Sequence, residues 1–563
     1  MKLVLQNPFL GPQGSNVSAG PSPQSFLIVG LGESGYAMAK WCLIQGANVR
    51  LADTRQQKAL NTQQANWLLD LQQLGLKEFC FEASNWDALL NDVDVVGISP
   101  GLSPIQEPCK TLLKISEERG IPIWSEIEFF ARAIRALQEM STDDGFYKPN
   151  ILAITGTNGK TTTSSLTAQI CERAGKRVAL AGNISPAALE KLLIVLEQAK
   201  DYSELPEIWV LELSSFQLQF THTLDPTAAT ILNLSQDHLD WHGDMQTYAA
   251  AKARILGKSS VLVLNRDDQA VINLFTDIDD GRKVISFGGD SPSEVDSFGI
   301  ERDPRAGGID WLVWAEPDEA TLASEQEEAQ EGFIKRRRRK KSDAYEQSED
   351  LRIKRLIPAD ALRIRGRHNA LNALAALALA RAAGLGIGLL LHGLREYQGE
   401  PHRVQTVAVI ADVEYIDDSK GTNVGATVAA LHGLGASSGN KNIWLIVGGD
   451  GKGQDFSPLV EPITRFAKGL VFIGRDAPVI EAVCMHAIQN HAVHIIRADS
   501  LELAVQHVAK CAVAGDIVLL SPACASFDMF KDYKHRADVF VQSVQELAHQ
   551  MTSTLNTDME ASA

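Results

Sequence analysis

The sequence predicts an α/β protein built from three domains. Its 563 residues exceed what one hydrophobic core usually supports, since chains beyond about 250–300 residues tend to divide into domains. Buried-strand runs alternate with helical runs in three successive series, which is typical of mostly parallel sheets. The first two series each open with a glycine-rich loop between a strand and a helix, and this arrangement predicts two nucleotide-binding sites.

Composition and charge exclude several functional classes. Apolar residues make up 45% of the chain and charged residues 22%, as in ordinary globular proteins. The net charge of −17 argues against a nucleic-acid partner, and no apolar run approaches the ~18–20 residues of a membrane span. Seven scattered cysteines without a CxxC pair are typical of the reducing cytoplasm. Residues 1–25 lack the apolar core of a signal peptide, and we predict a disordered tail there.

The first domain, residues 26–125, is predicted to be Rossmann-like. The strand "SFLIVG" runs into a GxGxxG loop formed by Gly30, Gly32 and Gly35, and Asp53 ends the next strand. In this fingerprint the glycines let the backbone approach a diphosphate, and the acidic residue binds a ribose. The pattern predicts a nucleotide diphosphate more securely than NAD. A tight strand–helix turn without any ligand is the alternative.

The central domain, residues 126–400, is predicted to be a P-loop-type ATPase domain. The stretch "ITGTNGKTTTSS" follows a buried strand and opens a helix. Ile154 stands where the strict GxxxxGK[ST] pattern requires glycine, but the physical parts of a phosphate loop remain. Glycines and a helix N-terminus can receive phosphate, Lys160 can reach the transferred phosphoryl group, and Thr161 or Thr162 can offer a hydroxyl to Mg²⁺.

Polar residues at neighbouring strand ends extend this predicted site. Glu212 ends the strand "IWVLEL" in a position suited to Mg²⁺, and Asp237 and His238 closely follow the strand "AATILNL". Lys252 lies on a predicted helix. Each of these residues alone is more often structural or solvated. Together they indicate a site at the carboxyl ends of the strands, where open α/β sheets bind ligands.

Residues 401–563 contain a third strand–helix series and predict a Rossmann-like C-terminal domain. The stretch "GEPHRVQ" (399–405) predicts a hinge in front of it. Residues 316–350 have an acidic half followed by seven consecutive basic residues. We interpret them as a solvated insertion in the central domain, with contact to nucleic acid or a membrane surface as the open alternative.

The stretch "GTNGKTTT" closely resembles the Mur ligases, which are ATP-dependent enzymes that add amino acids to a cell-wall nucleotide precursor. The resemblance runs from about residue 26 to 545, apart from the insertion. It implies a cytoplasmic enzyme that activates a carboxylate as an acyl phosphate. The ATP-binding residues that it implies are Gly156, Thr157, Asn158, Gly159, Lys160, Thr161, Thr162, Asn369, Asn372, Arg403 and Asp418.

The same resemblance implies the metal and acceptor sites. Thr161 and Glu212 match a first Mg²⁺ site, and His238 matches a second, together with Lys252 carbamylated by CO₂. The catalytic residues are then Lys160, Glu212, His238, Lys252 and Lys420, the last expected near phosphate or the oxyanion. The UDP-substrate residues are Gly30, Gly32, Ser34, Gly35, Asp53, Thr54, Arg55 and Asn183.

Within the family, the C-terminal domain resembles that of the D-glutamate-adding members. The stretches "DSKGTN", "GGDGK" and "SPACASFD" carry the likeness, and the DNPR-type stretch of the diamino-acid-adding members is missing. The chain departs from the pattern at Asp417, Gly421 and Tyr533, and at Glu33 and Ser34 in the first loop. The resemblance implies D-glutamate contacts at Thr422, Lys452, Ser526, Phe527 and Tyr533.

Three other functions stay open from the sequence. A folylpolyglutamate-synthase-like ligase should lack the GxGxxG domain, and a nicotinamide-dependent oxidoreductase would not need Lys160, Glu212 and Lys252. A P-loop scaffolding module could use the basic insertion as an interaction arm. We expect small-molecule substrates (UDP-N-acetylmuramoyl-L-alanine, D-glutamate and ATP), two Mg²⁺ ions, and a monomer.

Overall fold

The chain forms two compact units. The first consists of residues 1–358 and 372–396, and the second of residues 359–371 and 397–563. Residues 359–371, which we predicted in the central domain, thus belong to the second unit. The computed structural model describes residues 5, 7–9, 24–140, 147–276, 281–304, 308–316, 351–435, 441–490 and 493–561.

The predictions of a charged insertion and of a chain without a membrane span can be compared only with these described residues. The charged insertion predicted at 316–350 lies, apart from Glu316, outside the described residues. No helix within the described ranges combines the length and apolar character that crossing a bilayer requires.

The first sheet is parallel, with the strand order β3-β2-β1-β4-β5. Successive strands are added on one side of β1 as far as β3 and then on its other side from β4 onward. The first glycine loop follows β1 and lies at this switch point, where α/β sheets bind ligands. Its strands are β1 Ser25–Val29, β2 Asn48–Ala52, β3 Glu78–Cys80, β4 Val95–Ile98 and β5 Ile123–Trp124. Its helices are Glu33–Ile44, Thr62–Gln73, Trp86–Leu89, Cys109–Glu118 and Glu126–Glu139.

The prediction of a disordered tail over residues 1–25 is wrong at Ser25, which begins β1, and at Leu5 and Phe9. Leu5 and Phe9 are buried in the core of the first sheet, where Phe9 lies 4.6 Å from Phe26 between ring centroids. The guanidinium of Arg132 donates to the Phe9 carbonyl at 2.8 Å. Two apolar anchors separated by two polar residues and a proline give no sustained hydrophobic signal in the sequence, although each can bury substantial area.

The second sheet has nine strands in the order β14-β13-β12-β11-β10-β9-β6-β8-β7. It is parallel from β7 to β12, and β13 and β14 add an antiparallel edge. Its strands are β6 Asn150–Thr155, β7 Val178–Gly182, β8 Ile208–Glu212, β9 Ala228–Ile231, β10 Val261–Asn265, β11 Val284–Phe287, β12 Phe298–Asp303, β13 Ile309–Ala315 and β14 Ile353–Pro358. The helices are Lys160–Arg173, Ala188–Gln198, Ser215–Gln219, Leu239–His242, Met245–Ala253, Gln269–Thr276, Arg367–Ala382 and Ile387–Glu396.

The third sheet forms the core of the second unit, in the order β15-β16-β20-β17-β18-β19. All its strand pairs are parallel except β15 with β16. The strands are β15 Gln405–Ile410, β16 Val413–Asp417, β17 Ile443–Gly448, β18 Ala467–Ile473, β19 His494–Arg497 and β20 Ile517–Leu520. The helices are Val424–Gly435, Val460–Phe466, Ala477–Asn490, Leu501–Ala509 and Tyr533–Ala561.

Candidate functional site

The loop after β6 is shaped to receive phosphate. The helix Lys160–Arg173 begins after Gly159, whose φ of 82° is left-handed, and no side chain caps it. The N–H groups and the dipole of a helix N-terminus favour an anion at this position. Asn233 fixes the loop by accepting from the Asn158 N–H at 2.8 Å and donating to the Asn158 carbonyl at 3.1 Å. A Cβ on Gly159 would lie 2.5 Å from the amide oxygen of Asn372, so Asn372 lies at this loop.

Two lysine side chains lie at the same loop. Lys160 Nζ donates to the carbonyls of Gly156 and Thr157 at 2.9 and 2.8 Å. Lys252 Nζ donates to the Gly156 carbonyl at 2.9 Å and to Thr155 Oγ1 at 3.3 Å. Burial, and then the charge of Lys160, hold the pKa of the Lys252 ammonium well below its usual value. The amine of Lys252 is therefore disposed to be neutral, unlike an ordinary lysine.

Glu212 presents an unpaired buried oxygen at the end of β8. Its side chain is 2% exposed, and Oε1 accepts from Asn183 Nδ2 at 2.8 Å. Oε2 is buried and has no hydrogen-bond partner. Such an atom is costly unless a ligand satisfies it, and a carboxylate oxygen is what Mg²⁺ prefers. Thr161 and Thr162, which are also buried, lie in the first turn of the helix that follows the phosphate loop.

His238 lies on the loop between β9 and the helix Leu239–His242. It adopts a left-handed φ of 55°, its Nε2 lies 3.5 Å from Asp237 Oδ2, and its ring packs on Phe216. Within the described ranges, no three His, Cys, Asp or Glu side chains converge on a possible metal position. A Mg²⁺ ion here would need oxygens from phosphate and water besides Glu212, as is usual for this ion.

A cleft of about 610 Å³ lies between the first and second sheets. The first glycine loop and the end of β2 line one side, and residues 182–187 and 214–217 line the other. The predicted UDP-substrate residues that line it are Gly30, Gly32, Ser34, Asp53, Thr54, Arg55 and Asn183. Gly35 does not line the cleft, because it packs the helix against the strand.

The two glycines give a matched test of this arrangement. A Cβ on Gly35 would lie 1.8 Å from the Gly30 carbonyl oxygen, whereas a Cβ on Gly32 meets nothing within 4 Å. We expect Gly35→Ala to destabilise the first domain by about 3 kcal/mol. Gly32→Ala should cost roughly 0.5 kcal/mol and weaken UDP binding by about tenfold. Denaturation and UDP titration measure both, and equal stability of the two variants would contradict the assignment.

Asp53 organises the first glycine loop within the chain, and its contact with a ribose stays a prediction. Its Oδ2 accepts from the Leu31 N–H at 2.7 Å, and both oxygens accept from the Arg55 guanidinium. Burial works to raise the pKa of this carboxyl, but the Arg55 and backbone hydrogen bonds outweigh it, and the pKa lies below its usual value. Asp53 therefore holds the glycine loop and Arg55 in place, and both of its oxygens are engaged within the chain.

In the second unit, four of the five predicted D-glutamate residues lie on loops at the carboxyl ends of β16, β17 and β20, and Tyr533 begins the helix Tyr533–Ala561. The loops after β17 and β20 are joined by paired backbone hydrogen bonds between Asp450 and Ala525, both 2.9 Å. Lys420 Nζ lies 5.2 Å from the ring centroid of Tyr533. Of the other predicted residues, Ser526 is buried, Thr422 is half-buried, and Lys452 and Phe527 are exposed.

Arg536 connects the loops after β16 and β20 by hydrogen bonds, and the sequence analysis did not identify it. It is 1% exposed and donates to Ser419 Oγ at 3.0 Å, to the Ser419 carbonyl at 2.7 Å and to the Cys524 carbonyl at 3.1 Å. The available signal was its position three residues after Tyr533 on the same helix. Its burial there, however, follows only from the tertiary packing.

The predicted hinge carries two unusual backbone conformations. His402 and Val404 have φ values of 63° and 47°, which strains a β-branched residue such as Val404 in particular. His402 Nδ1 lies 2.8 Å from Asp417 Oδ2. Burial raises the pKa of Asp418, and the charge of Arg403, which lies between His402 and Val404 in the sequence, opposes that rise. Asn369 Nδ2 donates to the Arg365 carbonyl at 2.8 Å.

Asp418 should give the second unit a distinctive pH dependence. Burial raises its pKa to about 7, against the Ser521 hydrogen bond and the Arg403 charge. The folded protein then keeps a proton that the unfolded chain releases near pH 4. The contribution of Asp418 to folding stability is therefore present at low pH and is lost as the pH rises from about 4 to 7. Relative to Asp418→Asn, wild-type stability should fall by about 3 kcal/mol over this range.

Thermal midpoints of the two proteins between pH 4 and 8 measure this difference. The exposed Asp538 supplies the control, and Asp538→Asn should follow the wild type at every pH. A constant difference between wild type and Asp418→Asn would contradict the buried, proton-binding state of Asp418.

Comparison with known proteins places all three regions in one family. The model for the MurD-like N-terminal domain of Mur ligases matches residues 24–124, that for the Mur ligase middle domain 154–380, and that for the Mur ligase glutamate ligase domain 402–524. A UDP-N-acetylmuramoylalanine–D-glutamate ligase of Paraburkholderia phymatum is 51% identical over 93% of this chain and 96% of its own length.

The chain belongs to the Mur ligase family.

Further Mur ligases support the same placement. The enzyme of that same name from Cupriavidus pinatubonensis is 52% identical over 93% of this chain and 97% of its own length. A crystal structure of MurF from Acinetobacter baumannii shares the fold, with a TM-score of 0.50 and 15% identity over 85% of this chain and 88% of that one. Membership of a ligase family removes the support for a nicotinamide-dependent oxidoreductase.

Proposed function

We propose that this Mur ligase joins D-glutamate to UDP-N-acetylmuramoyl-L-alanine, with ATP converted to ADP and phosphate, in the synthesis of peptidoglycan precursors. The observation that carries the proposal is the 51–52% identity to ligases of that name over 93% of the chain. The two separate nucleotide-type sites support it, because an acceptor with a UDP handle and ATP each need one.

The cleft between the first two sheets suits the UDP end of the acceptor. The backbone at Gly32 is open to the cleft and allows a diphosphate to approach closely. Asn183, on the opposite wall, lies beside Glu212 and so links this cleft to the phosphate loop. A carboxylate at the far end of the bound acceptor would thereby reach the transferred phosphoryl group.

The phosphate loop then supplies charge and position. Free carboxylates are poor electrophiles, and phosphorylation gives the carbonyl carbon a leaving group that the amine of D-glutamate can displace. The loop N–H groups and Lys160 hold the transferred phosphoryl group, which is chiefly positioning and charge neutralisation. Mg²⁺, held by Glu212 and Thr161, would neutralise phosphate charge. In the second unit, Lys452, with Thr422, Ser526, Phe527 and Tyr533, would bind the amino acid.

Lys252 is proposed to become a carbamate. Its lowered pKa favours the neutral amine, which can attack CO₂, form an N–C bond and release a proton. The product is an anionic oxygen ligand that, with His238, would hold a second Mg²⁺. Activity should fall in CO₂-depleted buffer and return with bicarbonate, and an activity indifferent to both would contradict the carbamate.

Phosphate release with UDP-N-acetylmuramoyl-L-alanine, ATP and a panel of amino acids tests the function. We expect turnover with D-glutamate, and none with L-glutamate, D-alanine or a diamino acid. Turnover that prefers any of those three would overturn the assignment. A cytoplasmic location and a monomeric state stay predictions, the second of which light scattering on the purified protein would decide.

A further inference from the structure

The helix Ala188–Gln198, which follows β7 beside the cleft, begins without a cap of its own. Its N-cap residue is Ala187, which makes no side-chain hydrogen bond to the helix. Alanine is a poor residue at this position, and the first N–H groups of a helix need partners. The partners come instead from two glutamates, Glu33 and Glu126, which begin the first and the last of the helices that accompany the first sheet.

The side chains of the two glutamates accept hydrogen bonds from residues at and just before the start of the helix. Glu33 Oε1 accepts from Ser185 Oγ at 2.7 Å and from the Ala187 N–H at 3.1 Å. Glu126 Oε1 accepts from the Leu189 N–H in a short hydrogen bond. Burial raises the pKa of the Glu126 carboxyl to about 8, and its oxygen can accept this hydrogen bond in either protonation state. The helix start is thus fixed by residues that lie more than 60 positions earlier in the chain.

Residues 182–187 form the turn that precedes this helix. The first residues of the turn contact Glu212. The Asn183 N–H donates to the Glu212 carbonyl at 2.6 Å, and Asn183 Nδ2 donates to Glu212 Oε1 at 2.8 Å. A Cβ on Gly182 would lie 2.3 Å from that Glu212 carbonyl, and the Gly182 N–H donates to Pro186 at 3.2 Å. The segment 182–187 therefore has little freedom to shift at one end without moving the other.

We propose that Glu33 is a positioning residue for the ligase reaction, holding the 182–187 turn in the place from which Asn183 orients the Glu212 carboxylate. Glu33 also lines the cleft, so the acceptor meets the residue that sets this turn. The proposal rests on the proposed function only for its effect on turnover. The capping contact itself is a property of the protein without ligands.

Three variants separate this role from others. Glu33→Leu removes the acceptor at similar size, and Glu33→Gln restores an amide oxygen that can accept both hydrogen bonds. Glu190→Gln is the control, since Glu190 lies in the first turn of the same helix and contributes charge there. Glu126 is a poor position for a variant because it is fully buried, and its replacement would also destabilise the fold.

Hydrogen–deuterium exchange of the ligand-free protein is the first readout. Exchange over residues 183–193 should become faster in Glu33→Leu and stay at the wild-type rate in Glu33→Gln and Glu190→Gln. In steady-state assays, kcat of Glu33→Leu should fall about tenfold, in the range found for outer partners of metal ligands. The Mg²⁺ concentration for half-maximal rate should rise, and Glu33→Gln should restore both.

A double-mutant cycle with Asn183→Ala completes the test. If Glu33 acts through Asn183, Glu33→Leu should add little to the loss already caused by Asn183→Ala. Additive losses would overturn the proposal, as would unchanged exchange in Glu33→Leu together with a higher KM for the UDP substrate alone. If wild-type protein fails to use D-glutamate, the proposed function fails, while the exchange data still decide the capping role of Glu33.

Discussion

Replacing Lys160 by alanine should lower the rate of ADP formation by about 10³-fold, the upper range for losing one preorganised charge donor. Lys160 Nζ lies at the phosphate loop, 2.9 and 2.8 Å from the Gly156 and Thr157 carbonyls. The Lys160 ammonium could donate hydrogen bonds directly to a phosphoryl group that the loop N–H groups bind. In Lys160→Ala, the charge that develops during transfer would lose this ammonium.

The measurement is coupled ADP release under saturating substrates, with the thermal midpoint recorded in parallel. The Lys160 ammonium contacts backbone carbonyls, and its replacement removes no apolar core side chain, so the fold should survive. Lys176→Ala is the matched control, since Lys176 pairs with Glu207 away from the loop and should retain normal turnover. A near-normal rate for Lys160→Ala would refute its assigned role.

Glu212→Gln should lower turnover by at least about 10²-fold while leaving metal-free stability within about 1 kcal/mol of wild type. Glutamine keeps an oxygen that can accept from Asn183 Nδ2, so the local hydrogen bond survives. The variant loses the buried anionic oxygen that has no partner in the protein. The loss should therefore fall on cation binding and leave folding intact.

Thermal stabilisation by Mg²⁺ and a non-hydrolysable ATP analogue distinguishes the two effects. Ligand at 100 times its dissociation constant stabilises a protein by about 2.7 kcal/mol, and Glu212→Gln should lose the part that depends on Mg²⁺. Stabilisation by the nucleotide alone should persist. Wild-type Mg²⁺ dependence in Glu212→Gln would remove Glu212 from the metal site.

Sequence patterns predicted the parts of the fold that depend on local chemistry. Gly159 and Lys160 lie where a phosphate loop requires them, and Glu212 ends its strand as predicted. Each of these follows from a short motif between a buried strand and a helix. The parallel strands β7 and β10, by contrast, escaped prediction, because short apolar runs do not distinguish a strand from a buried helical segment.

Features that depend on distant contacts could not be predicted. The fingerprint of the first loop predicted Asp53 as a ribose contact, but only the structure places Arg55 and the Leu31 N–H on its oxygens. Glu126 resembles any acidic residue in the first turn of a helix, and nothing local predicts that it caps another helix. Burial of charged groups is decided by tertiary packing, which a single sequence does not encode in any short window.

The uncapped start of the helix Ala188–Gln198 also restricts how such ligases can evolve by exchanging modules. A recombinant that imports a foreign first sheet together with its helices keeps the helix Ala188–Gln198 but loses the two glutamates that complete it, unless the donor carries acids at the same places. The first domain and its neighbour are thus expected to be inherited together, and chimeras joined between them should need Glu33 and Glu126 grafted back to regain full turnover.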